Sequence, residues 1–265
     1  MYSEKEEKVM EKEIISVMKR YELKYVLSKE QVNYFKKEIL KYMKIDKYGL
    51  TTILTIYFDT PNNTLINKSI EKPNYKEKLR LRSYGLAKDN SPVFLEIKRK
   101  NEKIVYKRRI VTTEKKADLF FEENEELDKK QISRELEAFK ENYKVLEPKY
   151  LIIYDRIAYY QDNSDIRITL DSNPRYRVND LNLHTSSEGV SLLKEGEAIL
   201  EVKVQHSLPL WLVKILTDAK IYQNSFSKVG TAHKNEMNKK LQKEILLTKQ
   251  NQANLKGGCQ YGFNV

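Results

Sequence analysis

One cysteine in 265 residues leaves no disulfide framework and no cysteine-ligated metal site; Cys259 points to a reducing compartment. Three scattered histidines, His184, His206 and His233, build no HExxH-type site. Eight glycines, none of them in a glycine-rich phosphate cradle, mean that any nucleotide has to be held by side chains. Six prolines and eight glycines exclude collagen-like and low-complexity classes. No apolar run approaches the roughly 18 residues of a membrane span, and the first 15 residues (MYSEKEEKVMEKEII) are too charged for a signal peptide. The expectation is a soluble, cytoplasmic protein with no transmembrane segment.

Apolar residues make up 40% of the chain, enough to bury a core, and the formal net charge is +11. The excess is concentrated. Lys76 to Arg109 holds twelve basic residues against four acidic ones, a net +8 within 34 residues. Such a balance calls for an anionic partner. Residues 118–128 (DLFFEENEELD) carry six acids and no base, which reads as an exposed loop or helix edge.

Residues 20–27 alternate as a strand, and Ser28 with Gln31 three residues on opens a capped helix through Val32, Phe35, Ile39 and Leu40. TTILTIYF (51–58) is β-branched and aromatic, broken by Asp59-Thr60-Pro61-Asn62-Asn63, with a short helix over 63–70. Further strands are read at 75–85, 93–100, 103–112, 150–160, 165–171 and 198–205, with a tight hairpin at Asn101-Glu102. Residues 114–144 read as polar helix and Leu208–Lys220 as an amphipathic helix carrying Trp211 in its core stripe. The layout is α+β, antiparallel strands with inserted helices. One domain is expected over residues 18–242, preceded by a charged lead (1–17) and followed by a weakly ordered tail (243–265).

Side chains alternate across a strand, so residues i, i+2 and i+4 share a face. Lys78, Arg80 and Arg82 then oppose Leu79 and Leu81. Glu96, Lys98 and Lys100 oppose Leu95 and Ile97, while Lys107 and Arg109 share a face. Glu22 with Lys24, Glu201 with Lys203, Tyr154 with Arg156, and Arg167 with Thr169 and Asp171 extend the set. Two arrangements fit: an open sheet with a solvated charged face, or an antiparallel barrel whose charged face lines a wet lumen. Like charges opposed across neighbouring strands are destabilising. The lumen resolves this if it holds a polyanion and its carboxylates hold a cation. The helices 29–40 and 208–220 would then cover the outward apolar face. Arg99 and Arg108 have the opposite parity and are expected to be outer and dispensable.

RYELKYVLS (20–28), IYFDTPNNTLINKSI (56–70), YKEKLRLRSYG (75–85), VFLEIKRK (93–100), VYKRR (105–109), YDRIAYY (154–160), DIRITLD (165–171), ILEVK (199–203) and FSKVGTA (226–232) together resemble the polyphosphate polymerase domain of the vacuolar transporter chaperone (VTC) family. That family belongs to the triphosphate tunnel metalloenzymes, a CYTH-like superfamily. The resemblance runs in order from about residue 18 to 234. It implies an antiparallel β-barrel or tunnel with helices packed outside, ATP as substrate, Mn or Mg as divalent cation, and transfer of the γ-phosphate onto inorganic polyphosphate. Carried over by position, the catalytic and phosphate-binding set is Lys24, Arg80, Arg82, Lys98, Lys107, Arg156 and Lys228, with Arg109 and Tyr154 as further binding residues. Glu201 and Glu22 are the metal candidates. Phosphoryl transfer rests on positioning and charge neutralisation, which Lys, Arg and a carboxylate-held cation supply. A tripolyphosphatase and a non-catalytic polyphosphate-binding module remain open as alternatives. Nucleic acid is not expected, because the cations alternate within strands rather than interleaving with aromatics on one face.

Overall fold

The computed structural model describes residues 21–257 apart from residues 72, 103, 124 and 128–130, so the charged lead (1–17), Cys259 and the last part of the tail (258–265) lie outside the described residues. Ten strands form one antiparallel sheet: β1 (Tyr21–Leu27), β2 (Lys44–Ile45), β3 (Thr51–Asp59), β4 (Tyr75–Tyr84), β5 (Val93–Asn101), β6 (Ile104–Thr112), β7 (Glu147–Tyr160), β8 (Arg167–Arg177), β9 (Val190–Ser191) and β10 (Ala198–Val204). Six helices accompany them: α1 (Lys29–Ile39), α2 (Thr64–Glu71), α3 (Glu114–Glu122), α4 (Gln131–Tyr143), α5 (Leu210–Asp218) and α6 (Lys228–Gly257). The main path of the sheet runs β1-β10-β8-β7-β3-β4-β5-β6, with β2 on β7 and β9 on β8. No backbone ladder joins β6 to β1 among the described residues, so the tunnel keeps an open seam.

Alternation decides which face each residue takes, and the outer face builds two cores. Leu54, Ile56, Leu79, Leu81, Leu95 and Ile97 pack beneath Ala117 and Phe120 of α3 and Leu136 and Phe139 of α4. Tyr25, Leu27, Ile168, Leu170, Leu200 and Val202 pack beneath Val32, Phe35 and Ile39 of α1 and Leu212, Ile215 and Leu216 of α5. Each fully buried large aliphatic side chain contributes about 1.5–3 kcal/mol. Coverage by the helices at 29–40 and 208–220 therefore accounts for one half of the sheet. The other half is covered by segment 114–144, whose apolar stripe is hidden within an otherwise polar composition.

A third core lies on the inner face. Ile53, Tyr150, Ile152 and Tyr154 meet Val229 and Ala232 of α6 and Ile66 of α2. Helix α6 thus plugs part of the barrel interior. Two bulges bend the strands around it. Between Ile153/Arg175 and Asp155/Ser172 the β8 strand carries an extra residue at Asn173, which takes a left-handed φ of 47°. Inward parity flips there, so Tyr176 faces inward five residues beyond Asp171, rather than an even number.

Local chemistry sets the element ends. Ser28 caps α1, accepting from the Gln31 backbone N–H while the Gln31 side chain accepts from the Ser28 N–H. Asp59, fully buried, accepts from the backbone N–H groups of Leu65 and Ile66 at 2.8 Å each and so ties the end of β3 to the start of α2. The β5–β6 turn falls one residue later than expected: β5 ends at Asn101, paired with Ile104, and Glu102 takes φ 50°. Helix α6 runs on to Gly257 through the start of the segment read as tail; no proline or glycine interrupts it between Gly230 and Gly257. Among the described residues no helix is long and apolar enough to cross a membrane.

Candidate active site

The register places every strand residue proposed from sequence on one face. Glu22 and Lys24 lie opposite Lys203 and Glu201; Glu201 lies opposite Thr169; Arg156 lies opposite Asp171. Across the sheet, Arg80 and Arg82 lie opposite Tyr57 and Thr55 on one side and Glu96 and Phe94 on the other. Lys98 stands between Lys78 and Lys107, and Glu96 stands opposite Arg109. Three lysines directly opposed on adjacent strands repel one another and need an anion between them.

Buried carboxylates hold the arginines by one edge and leave the other free. Glu96 has no exposed surface and lies 2.7 Å from Arg80 Nε, 3.8 Å from an Arg82 Nη and 2.6 Å from Lys107 Nζ. Burial pushes its pKa up, but the three cations outweigh burial and hold it at about 2. Arg80 therefore spends its Nε–H on Glu96 and keeps both Nη groups for a ligand. Arg82, 7% exposed, donates Nε–H to Thr55 Oγ1 at 3.3 Å. Arg156 makes a two-pronged contact with the fully buried Asp171, Nε to Oδ1 at 2.6 Å and Nη2 to Oδ2 at 2.8 Å. Guanidinium groups fixed in this way meet phosphate oxygens with little ordering left to do.

Lys228 is the first residue of α6 and enters the site from the plug, 2.5 Å from Asp171 Oδ2 and 4.3 Å from the centre of the Tyr154 ring. Arg156 lies 5.1 Å from the same ring. Tyr154 thus carries two cations against its π-face, which sets their spacing. Burial raises the Asp171 pKa, and Lys228 and Arg156 pull it back below its usual range.

The two metal candidates share a lysine. Lys24 Nζ is 3.2 Å from Glu22 and 3.6 Å from Glu201, and Lys203 Nζ is 2.6 Å from Glu201. Burial works against the Glu201 carboxylate, yet Lys203 and Lys24 hold its pKa well below the usual range. No group of three or more His, Cys, Asp or Glu side chains gathers among the described residues. The buried Thr169 hydroxyl, opposite Glu201, has no hydrogen-bond partner among them. Two carboxylates and a free hydroxyl are hard oxygen donors, too few for a protein-only cage. They fit a Mg or Mn ion that takes its remaining ligands from phosphates and water.

Ten cations (Lys24, Lys78, Arg80, Arg82, Lys98, Lys107, Arg109, Arg156, Lys203 and Lys228) face four carboxylates (Glu22, Glu96, Asp171 and Glu201) in this region, an excess of six positive charges. Two responses to that field stand out. Burial raises the Tyr57 phenol, but Arg80, Lys78 and Arg82 bring it down to about 7. Lys78 is brought down to about 8 by burial, with Tyr57 opposing and the neighbouring lysines adding to the fall.

Several of these residues were outside the site expected from sequence. Glu96, Asp171 and Lys78 share parity with site residues, so the signal was present, but nothing in the chain marked them as holders of arginines. Tyr57 sits in a strand that reads as core, and only its step of two from Thr55 places it inward. Arg99 and Arg108 face outward as expected, but they are engaged: Arg99 lies 2.6 Å from Glu77, and Arg108 lies 3.5 Å from Glu135 of α4. Of the histidines, His233 is buried against the Tyr150 hydroxyl at 2.9 Å and His184 lies 2.9 Å from Glu114.

Comparison with known proteins places this geometry in context. The VTC domain model matches residues 19–235. No curated protein sequence matches the chain. Among solved structures, a candidate adenylate cyclase from Bacillus halodurans aligns with TM-score 0.50 at 14% identity, covering 79% of this chain and 96% of its own. A candidate adenylyl cyclase from Hippeastrum, described as having a dominant triphosphatase activity, aligns with TM-score 0.49 at 14% identity, covering 81% and 95%. The fold is that of the triphosphate tunnel proteins.

Proposed function

The chain belongs to the VTC domain family, and from that premise we propose that it is a polyphosphate polymerase that transfers the γ-phosphate of ATP onto an inorganic polyphosphate chain inside the tunnel. The observation that carries the reading is the pinning of Arg80 and Arg156 by the buried carboxylates of Glu96 and Asp171, within a lumen that keeps a large cationic excess. A terminal phosphate oxygen of the polymer attacks the γ-phosphorus, the bond to the β–γ bridging oxygen breaks, and its electron pair leaves with ADP. Charge spreads over the transferring oxygens in this step, and fixed guanidinium groups stabilise it without reorganising.

The proposed roles follow position. Arg80, Arg82, Arg156 and Lys228 hold the triphosphate. Lys24, Lys98, Lys107 and Arg109 continue the cationic track, with Tyr154 spacing Arg156 and Lys228. Glu201 and Glu22, with Thr169, would hold a Mn or Mg ion, which supplies further neutralisation of phosphate charge when bound. ATP and inorganic polyphosphate are the expected partners.

Incubating the purified protein with ATP and Mn and resolving the products on a gel tests the reading. A ladder of acid-labile polymer supports a polymerase. Release of orthophosphate alone assigns a triphosphatase, and retention of polyphosphate without turnover assigns a binding module.

A further inference from the structure

The inner face changes character at one end. From Lys78 through Arg82 it is ionic, yet the next inward positions are Tyr84 on β4, Phe94 on β5 and Val111 on β6. Their outward neighbours Val93, Leu95 and Ile110 are buried in the fold. Tyr84, Phe94 and Val111 belong to none of the three cores. Tyr84 is 51% exposed and Val111 60% exposed, so the fold does not need their apolar surface. At the other end the same face carries Lys76 opposite Lys100. The two mouths of the tunnel therefore have different chemistry.

The aromatic mouth has built geometry. The Tyr84 and Phe94 rings meet edge to face, with centroids 5.5 Å apart and planes at 84°. The Arg109 guanidinium lies over the Phe94 ring, 5.0 Å from its centre. Gly85, at φ +81°, turns the chain immediately after Tyr84, and its N–H donates to Thr52 O at 2.7 Å, which fixes the end of the strand. Tyr84 is one strand repeat, about 7 Å, beyond Arg82. An aromatic face held at that distance from a phosphate-binding arginine suits a flat group attached to the phosphates.

We propose that Tyr84, Phe94 and Arg109 form a nucleoside subsite: the base of a nucleoside triphosphate stacks on Tyr84 while Arg109, anchored over Phe94, reaches its first phosphate. The inference rests on the tunnel binding triphosphates, and it adds an orientation. The nucleoside lies at the aromatic mouth and the γ-phosphate points inward, toward the Lys78, Lys98 and Lys107 row. Every base has a π-face, so ATP and GTP are served alike.

Titration calorimetry of ATP and of tripolyphosphate, without metal, into the full chain and its Tyr84→Ala and Tyr84→Phe variants tests the subsite. Tyr84 is half exposed and outside the cores, so neither change removes core packing. Base stacking predicts that Tyr84→Ala weakens ATP about tenfold, leaves tripolyphosphate within about twofold, and that Tyr84→Phe restores ATP binding. An equal loss for both ligands, or no loss for ATP, overturns the subsite while leaving the phosphate tunnel in place. Wild-type protein that binds neither ligand overturns both.

Discussion

Lys98 on β5 reaches Glu22 on β1 at 3.5 Å, although no ladder joins the two edges of the sheet. The pair spans the interior and draws the seam together through side chains. Both partners are about a third exposed, so the pair itself is worth at most about 1 kcal/mol. Its effect on ligands is larger, because Glu22 competes with phosphate for Lys98 and Lys24. Glu22→Gln is expected to change stability by less than about 1 kcal/mol and to tighten metal-free tripolyphosphate binding severalfold, read by calorimetry. Weaker binding would count against an interior position for Glu22.

Glu201 and Arg82 separate metal from anion. Glu201→Gln keeps the shape of the side chain and removes its charge, so metal-dependent turnover falls by orders of magnitude while metal-free tripolyphosphate binding survives or tightens. Arg82→Ala weakens anion binding with or without Mn. Calorimetry in both conditions, beside product formation, checks the pair of outcomes. Full metal-dependent activity in Glu201→Gln removes that carboxylate from the metal site.

Glu96 carries a stability prediction. Neutralising it leaves Arg80, Arg82 and Lys107 crowded without their buried counter-charge, and breaking such a pair costs about 3–5 kcal/mol. Glu96→Gln should lower the melting temperature, and tripolyphosphate should restore more stability to the variant than to the wild type. Wild-type protein itself gains about 2.7 kcal/mol at a hundredfold excess of ligand over Kd. A variant as stable as the wild type without ligand would show that Glu96 does not hold the cations together.

Ligand affinity and fold stability should move in opposite directions with pH. The Tyr57 phenol, near 7, gains negative charge as pH rises, and Lys78, near 8, loses positive charge. Both changes weaken anion binding between about pH 7 and 9, and binding takes up protons. Both folded-state values lie below the unfolded ones, near 10 for Tyr and 10.4 for Lys. The unfolded chain therefore binds more protons, and these two groups raise ligand-free stability from pH 7 toward 10. Calorimetry in buffers of different ionisation enthalpy reads the proton uptake, and Tyr57→Phe should flatten the lower part of the affinity profile. A profile that stays flat from pH 6 to 9 contradicts the assignment.

Strand alternation made much of the luminal face legible in the chain, because a period of two leaves each charged residue only one of two faces. Lys24, Arg80, Lys98 and Glu201 follow it directly. What alternation does not carry is pairing between strands distant in sequence, so the seating of Arg156 on Asp171 and of Arg80 on Glu96 emerges only with the register. Parity also fails across a bulge: Asn173 takes a left-handed turn and moves Tyr176 to the inner face. The plug was hidden for another reason. Val229 and Ala232 of α6 have apolar partners only because Ile53 and Ile152 sit on a face that is otherwise charged. The outer cover by α3 and α4 was obscured by composition, since a narrow stripe of Ala117, Phe120, Leu136 and Phe139 suffices to cover a sheet.

A crystal structure with tripolyphosphate tests the central claim most directly. The account predicts phosphate oxygens inside the barrel, in contact with the free Nη edges of Arg80 and Arg82 and with Lys228, while Glu96 and Asp171 keep their present partners. Tripolyphosphate bound on the outer face at Arg99 and Arg108, with the interior arginines untouched, would contradict it.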